Sequence, residues 1–323
     1  MDVTWPPTAA SSLDQGGASL LALLRHLDAI GYDFVTPTPA THARVVARLG
    51  RAQARSLEDV LGWSLPFTPG ALDPEMERCL RLAGALQTDG GEAKSALRAS
   101  RLHDRLFLHS AFPTDATDAV FFGPDSYRFA DLVRAELASM SPASRPFIVD
   151  IGAGAGVGAI IAGELIPQAR LVMTDTNPEA LRLARINAEA AGITADTLLA
   201  ADLDAIDRPI DIAIANPPYL LDDLSRSYRH GGGEHGSATS IAFAADAARH
   251  LAPGGRLILY TGSAIVAGRD LLRQALHQTA QQFGCAMRYR ELDPDVFGEE
   301  LDRPQYQDVD RIAAVAAVIQ KPG

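Results

Sequence analysis

The sequence has few residues of the kinds that build cysteine-based metal sites or disulfide frameworks. Its 323 residues include two cysteines, Cys79 and Cys285, which lie too far apart to form a Cys-x-x-Cys motif. Isolated cysteines in such a chain are most often small buried side chains. We therefore expect neither a disulfide framework nor a metal site.

Lysine is scarce as well, and basic runs are lacking. Lys94 and Lys321 are the two lysines, and the net charge is −11. Residues 1–110 carry 11 Lys and Arg against 12 Asp and Glu, which leaves 18 against 28 for the remainder. Because an acidic surface does not attract phosphate backbones, a nucleic-acid substrate would require a local basic patch, and we find no basic run that supplies one.

Apolar runs long enough to cross a membrane are also missing. The first residues, MDVTWPPTAASSLDQGG, lack the basic and apolar blocks of a signal peptide. We therefore expect a cytoplasmic location and no membrane partner, while the oligomeric state stays open.

The pattern of residues changes near residue 140, at the small and proline-containing segment ASMSPASRP. Beyond it, short apolar runs that end in Gly, Asp or Asn alternate with helical segments; the runs are PFIVDIGAG, ARLVMTDTN, IDIAIANPP and GRLILYTGS. This alternation predicts an α/β fold with a Rossmann-like, doubly wound parallel sheet. Ligands bind at the carboxyl ends of the strands in such sheets, so the polar strand ends indicate where the site lies.

The N-terminal part, residues 1–110, has a different pattern and is predicted to be a smaller, mainly helical domain. Several segments with apolar residues at helical spacing precede QTDGGEAKSALRASRLHDRLFLHS, in which an Asp-Gly-Gly turn separates two predicted strands. Helices followed by a hairpin are typical of a winged-helix module. The nearly neutral charge favours a helical cap without a nucleic-acid role, so both interpretations stay open.

A glycine-rich loop, VDIGAGAGVGAI, follows the first predicted strand of the second part and opens a helix. Gly152, Gly154 and Gly156 allow a tight turn and a close approach of the backbone to a ligand, with Ala153 between them. Gly154, Gly156 and Ala159 also satisfy the dinucleotide-binding spacing. A nicotinamide-dependent oxidoreductase is therefore one alternative at this point.

Acidic residues stand at three successive strand ends. Asp150 precedes the glycines and, if buried, must find hydrogen-bond donors such as loop amides or a ligand's ammonium group. Asp175, which Thr176 follows, ends the next strand, where a carboxylate can accept both hydroxyls of a ribose. Asp202 ends a third predicted strand and is placed for an adenine amine, with Leu203 as an apolar wall.

The segment IANPPYLL places Asn216, Pro217, Pro218 and Tyr219 directly after a strand-like run. Two prolines end the strand and hold a rigid turn with exposed carbonyls, and Asn216 adds a side-chain acceptor. Two adjacent acceptors fit a planar NH2 group, as in an amide or a base amine, and can direct its lone pair at an electrophile. Tyr219 offers an aromatic face to a flat substrate.

Residues from about 120 to 262 resemble the class I S-adenosylmethionine-dependent methyltransferases, in particular the small-domain N-methyltransferases. These include release-factor glutamine methyltransferases and ribosomal-RNA guanine or adenine methyltransferases. The resemblance rests on VDIGAGAGVG, TDTNPEALRLARINA and DIAIANPPY, and it extends over GGGEHGSATSIAFAADAARHLAPGGRLIL. At FFGPDSYRFADLV the chain departs from the Pro-Arg-Pro segment of the glutamine enzymes.

The resemblance implies a seven-stranded methyltransferase sheet in residues 111–323, with CAMRYRELD and RIAAVAAVIQ as its final antiparallel strands. It implies S-adenosylmethionine as cofactor and no metal. Residues 152–156 would pass around the methionine part, Asp175 would bind the ribose, and Asp202 and Leu203 would flank the adenine. Asn216 would contact both cofactor and target nitrogen, with Pro217 and Tyr219 completing the acceptor pocket.

The predicted function is N-methylation of a macromolecule, either a protein glutamine, as in a translation protein, or an RNA base. Residues 1–110 would recognise the substrate or cap the site. A small-molecule acceptor and a non-catalytic regulator that binds S-adenosylmethionine are the alternatives.

Overall fold

The computed structural model describes residues 13–48, 50, 52–140, 144–221 and 228–323. The N-terminal part begins with four helices: α1 Gln15–Ala29, α2 Pro39–Val46, α3 Leu57–Leu61 and α4 Pro74–Leu82. Two antiparallel hairpins follow: β1 Leu86–Asp89 with β2 Glu92–Ser95, and β3 Leu97–Leu102 with β4 Arg105–Ser110. Among the described residues, every helix is too short or too polar to span a bilayer.

Local sequence explains where these elements begin and turn. Helix α1 begins after Asp14, whose side chain accepts from the Gly17 N–H at 2.7 Å. The predicted Asp-Gly-Gly turn is confirmed, because Gly90 and Gly91 have φ of +57° and +88° between β1 and β2. The second hairpin was not separated from the first in the prediction; it turns at His103, which has φ of +50°.

The remaining elements alternate along the chain. They are α5 Pro124–Ala138, β5 Phe147–Ile151, α6 Val157–Leu165, β6 Arg170–Asp175, α7 Pro178–Ala190, β7 Asp196–Leu199, β8 Ile210–Ala215, α8 Ala238–His250, β9 Leu251–Val266, β10 Arg269–Asp270, α9 Leu271–Gln282, β11 Ala286–Asp293 and β12 Val309–Gln320.

These strands form one sheet in the order β11-β12-β9-β8-β5-β6-β7, with the two-residue β10 beside β9. Strands β9, β8, β5, β6 and β7 are parallel, and β12 lies antiparallel between β9 and β11. The predicted doubly wound sheet and its final antiparallel strands are therefore confirmed. The strand order reverses at β5, which pairs with β6 on one side and β8 on the other. Such a switch point opens a crevice at the carboxyl ends of the two central strands.

The N-terminal helices and hairpins pack beside this sheet, where α1 and β4 contact α7. Their buried leucines belong to a hydrophobic cluster that also contains apolar residues of α5, α6 and α7. The fully buried Asn187 of α7 accepts from the Leu108 N–H at 2.8 Å and donates to the carbonyls of Leu108 and Ala155 at 3.0 and 2.9 Å. This amide links β4 directly to the glycine loop, so the N-terminal part supports the switch point.

Candidate functional site

A cavity of about 390 Å³ lies at the carboxyl ends of the parallel strands. Its volume falls within the range of about 300–1,000 Å³ that is usual for small-molecule sites. It brings together most of the residues that the sequence predicted: Gly152, Ala153, Gly154, Asp175, Thr176, Asp202, Asn216, Pro217, Pro218 and Tyr219 all line it. The glycine loop, two of the acidic residues and the Asn-Pro-Pro-Tyr turn thus face one space.

The glycine loop adopts the left-handed conformations that its sequence allows. Gly152, Gly154 and Gly156 have φ of +65°, +55° and +83°. A Cβ added at Gly154 would meet no atom within 4 Å, so the backbone at this residue is open to the cavity. Gly156 has a different role: it does not line the cavity, and its added Cβ would lie 3.1 Å from Ala184 of α7. The close packing of the glycine loop against α7 therefore explains why the third residue is glycine.

Asp150 supports the loop from behind and does not line the cavity. It is 2% exposed, and its carboxylate accepts from the Ala159 N–H at 2.8 Å near the start of α6. Burial raises the pKa of Asp150 to about 8; the Ala159 hydrogen bond opposes this rise and the charge of Asp175 adds to it. The donor found for this carboxylate is thus an amide in the first turn of α6 and not a loop amide, and contact with a ligand's ammonium group stays a prediction.

Asp175 ends β6 as predicted and connects the strand end to the glycine loop. One carboxylate oxygen accepts from the Gly154 N–H at 2.9 Å and the other from the Asn177 N–H at 2.9 Å. Burial raises the pKa of Asp175, whereas hydrogen bonds from the backbone of Asn177, Gly154 and Thr176 lower it. An ionised carboxylate has about four lone-pair sites, so both oxygens retain capacity for the two hydroxyls of a ribose.

Asp202, the third acidic residue, lines the cavity as predicted, but the neighbouring Leu203 does not. Strand β7 ends at Leu199, and the chain then turns so that Asp202 is exposed at the cavity. The side chain of Leu203 is fully buried in the hydrophobic cluster on the other side of the sheet, and its N–H donates to Asp246 at 2.8 Å. Leu203 therefore does not form the cavity wall that the sequence predicted.

The Asn-Pro-Pro turn presents acceptors to the cavity. Asn216, Pro217 and Pro218 follow β8, and the prolines have no N–H that could continue the ladder. Within the ranges that the structure describes, neither the Asn216 side chain nor the Pro217 carbonyl has a hydrogen-bond partner. Two adjacent acceptors in one small cavity thus have free capacity for a ligand's N–H groups.

Tyr219 lines the same cavity but is only 7% exposed. Its hydroxyl donates to Asp125 at 2.6 Å, and the hydroxyl of Tyr260 donates to the other oxygen of this carboxylate at 2.6 Å. Its ring rests on Gly262, where a Cβ would overlap the ring atoms. Burial raises the pKa of Asp125, and hydrogen bonds from both tyrosines and the charge of Arg128 oppose the rise. Tyr219 is thus fixed at both ends, and little of its ring is left to face a substrate.

Several lining residues were missed by the sequence analysis. Phe121 and Asp125 share the segment FFGPDSYRFADLV, whereas the aromatic residues Tyr228, Phe243 and Phe297 come from three other segments, so no single motif contains them all. The rings of Phe121 and Tyr228 are parallel to within 3°, with centroids 5.7 Å apart. The signal that could have indicated Asp125 is a carboxylate in the first turn of an otherwise apolar helix face, in the segment that departs from the Pro-Arg-Pro pattern.

A group of three potential cation ligands lies outside the cavity. Ligand atoms of Asp204, Asp246 and His250 come within 4.8 Å of one another, among the residues that could be searched. Arg249 lies 3.5 Å from the Asp246 carboxylate and supplies positive charge there.

Comparison with known proteins shows what the central part of this chain is similar to. The family model described as methyltransferase small domain matches residues 134–285. A release factor glutamine methyltransferase of Deinococcus radiodurans is 33% identical over 138 residues, which cover 40% of this chain and 50% of that protein. One from Moorella thermoacetica is 33% identical over 182 residues, covering 52% and 62%. Ribosomal RNA small subunit methyltransferase C of Enterobacter sp. is 26% identical over 156 residues, covering 48% and 42%.

The chain thus spans about half the length of the curated relatives that it matches. The matched region contains β5 to β9 and α6 to α9, and with them the glycine loop, Asp175 and the Asn-Pro-Pro-Tyr turn. The resemblance to class I methyltransferases of the small-domain type is therefore confirmed over residues 134–285, which match the methyltransferase small domain model.

Proposed function

We propose that this protein is an S-adenosylmethionine-dependent N-methyltransferase that acts on a planar nitrogen of a macromolecule. One observation carries the proposal: the Asn216 side chain and the Pro217 carbonyl, acceptors without a partner among the described residues, share a cavity with the glycine loop. An oxidoreductase would use the loop but would leave the Asn-Pro-Pro-Tyr turn without a role.

The residues of the cavity fit S-adenosylmethionine. The open backbone at Gly154 leaves room for the methionine part, Asp175 retains acceptor capacity for the ribose hydroxyls, and Asp202 is exposed where an amine of adenine would lie. The cofactor, when bound, supplies a methyl group that its sulfonium makes electrophilic. A metal or a strong general base is not required for this transfer, because the sulfur leaves as a neutral thioether.

The contribution of the protein is then to orient the acceptor nitrogen. An amide or base nitrogen is a poor nucleophile because its lone pair is delocalised. Asn216 Oδ1 and the Pro217 carbonyl would bind both hydrogens of the NH2 group, which favours a pyramidal nitrogen with its lone pair directed at the methyl group. The same oxygens would stabilise the positive charge that develops on nitrogen until a proton leaves to solvent.

A protein glutamine amide is the first candidate acceptor. The excess of acidic residues beyond residue 110 disfavours a phosphate backbone, and two of the relatives compared above are release factor glutamine methyltransferases. The second candidate is an RNA base amine. It is favoured by the helices and hairpins of residues 1–110, to which we assign substrate recognition or capping of the site, and by the likeness to an rRNA methyltransferase. Either acceptor would place the enzyme in the cytoplasm.

Transfer of labelled methyl groups tests the proposal. Purified protein and radiolabelled S-adenosylmethionine are added to an extract of cells that lack this protein, and the products are digested with protease or with nuclease. Label that is lost to protease alone supports a glutamine acceptor, and label that is lost to nuclease alone supports an RNA base. Label found only in small molecules would show that the acceptor is a small molecule and not a macromolecule. Binding of the cofactor without any transfer would indicate a regulatory protein.

A further inference from the structure

We propose that Asp125 is a positioning residue for methyl transfer: by accepting both tyrosine hydroxyls, its carboxylate holds the Asn216–Tyr219 turn in the geometry that directs the acceptor oxygens into the cavity. This inference rests on the proposed function, since it concerns the same site. It adds a residue that lies about 90 positions before the turn in the chain and outside the segment matched by the family model.

Three separate elements meet at this carboxylate. Asp125 belongs to the first turn of α5, Tyr219 follows β8, and Tyr260 lies in β9. Both hydroxyl–carboxylate distances are 2.6 Å, which is typical of short hydrogen bonds to an ionised acceptor. All three side chains are buried, with exposures of 3%, 7% and 0%. A network of such buried groups has little contact with water and holds its members in one geometry.

The surroundings of Asp125 favour the ionised form of its side chain, although the side chain is buried. Asp125 lies at the N-terminus of a 15-residue helix, where the helix dipole stabilises negative charge. The guanidinium of Arg128 lies 3.6 Å from the carboxylate and is held by Asp293 at 2.8 Å. Because an ionised carboxylate can only accept, both tyrosines must donate to it, so their hydroxyl hydrogens point away from the cavity's acceptor oxygens.

The tyrosine ring transmits this constraint to the turn. At one end the ring rests on Gly262, and at the other its hydroxyl is bound by Asp125. Only Pro217 and Pro218 separate Tyr219 from Asn216, and their fixed φ angles make the connection stiff. A shift of the ring therefore moves the acceptor oxygens, and displacements on the order of 1 Å at a reacting centre can lower rates about 100-fold.

The matched pair Tyr260→Phe and Tyr289→Phe tests this role. Tyr289 donates to Asp270 at 2.7 Å in the same sheet but lies outside the cavity, so the control removes an equivalent tyrosine–aspartate hydrogen bond. With the methyl-transfer assay above, Tyr260→Phe and Asp125→Asn should lower kcat at least tenfold, while affinity for S-adenosylhomocysteine stays within threefold. Tyr289→Phe should keep kcat within twofold. A kcat within twofold of wild type in Asp125→Asn would overturn the proposal.

A double-mutant cycle distinguishes positioning through Tyr219 from a general structural effect. If Asp125 acts through this ring, Asp125→Asn combined with Tyr219→Phe should lower kcat no further than the more severe single variant. Losses that multiply would show that the two side chains act independently, which contradicts the proposal.

Fluorine NMR on protein labelled with 3-fluorotyrosine tests the same point without turnover. The chain has seven tyrosines, and the resonance that disappears in Tyr219→Phe is assigned to Tyr219. It should shift or broaden in Asp125→Asn and stay unchanged in Tyr289→Phe; an unchanged Tyr219 signal in Asp125→Asn would overturn the inference. A wild-type protein without any methyl transfer would instead refute the proposed function, so the two failures are distinguishable.

Discussion

Replacement of Gly154 by alanine should separate the role of the glycine loop in binding from its role in folding. Gly154 has φ of +55°, the hairpin residue Gly90 has φ of +57°, and an added Cβ meets no atom within 4 Å at either position. Alanine in the left-handed conformation costs about 1–2 kcal/mol, and the reduced freedom of the unfolded chain offsets about 0.4–1 kcal/mol. Both variants should therefore lose roughly 1 kcal/mol of unfolding free energy.

Only the loop variant should affect the ligand. Gly154 lines the cavity whereas Gly90 does not, so the new methyl group of Gly154→Ala occupies space that the cofactor needs. We expect affinity for S-adenosylhomocysteine to fall at least tenfold, or about 1.4 kcal/mol, in Gly154→Ala and to stay at the wild-type value in Gly90→Ala. Urea unfolding and isothermal titration calorimetry measure the two quantities. Wild-type affinity in Gly154→Ala, or equal weakening in both variants, would refute the close approach of the loop.

Two further predictions concern buried polar groups. Burial raises the pKa of Asp150 to about 8, so between about pH 4 and pH 8 this carboxyl keeps a proton in the folded protein that it has lost in the unfolded chain. The free energy of unfolding therefore falls as pH rises from about 4 to 8. Between pH 6 and pH 8 the wild-type protein should lose about 2 kcal/mol of unfolding free energy through this group, and urea unfolding of Asp150→Asn should not show this loss. Unfolding free energies of the two proteins that change in parallel with pH would contradict the raised pKa of Asp150. Asn187→Ala should lose about 3 kcal/mol of unfolding free energy, since it leaves three buried backbone groups unpaired. A loss below 1 kcal/mol by urea unfolding would contradict the link from β4 to the glycine loop.

The sequence predicted the parts of the site that are contiguous in the chain. The glycine loop, Asp175 and the Asn-Pro-Pro turn each combine a strand end with residues of special backbone or acceptor chemistry, and parallel strands bring such ends to one edge. Leu203 was misplaced because the chain leaves β7 at Leu199, so the next residues turn back toward the core instead of continuing the strand.

The Asp125 network could not be predicted in the same way. Tyr219 and Tyr260 lie 94 and 135 residues from Asp125 in sequence, and the three side chains meet only because α5 packs against β9. Tyr219 was expected to offer its face to a substrate, since the sequence does not reveal that Gly262 in β9 admits the ring. The two-hairpin arrangement was likewise hidden, because Ala96 alone links β2 to β3 and no turn motif marks this position.

Orientation of the acceptor nitrogen by Asn216 is tested most directly by methyl transfer in Asn216→Ala, compared with the affinity of this variant for S-adenosylhomocysteine. We expect transfer to fall roughly 100-fold, as for the loss of other preorganised charge-stabilising groups, while affinity stays within threefold of wild type. Transfer at the wild-type rate would show that the free acceptors of the Asn-Pro-Pro-Tyr turn do not orient the nitrogen, and would contradict the central claim.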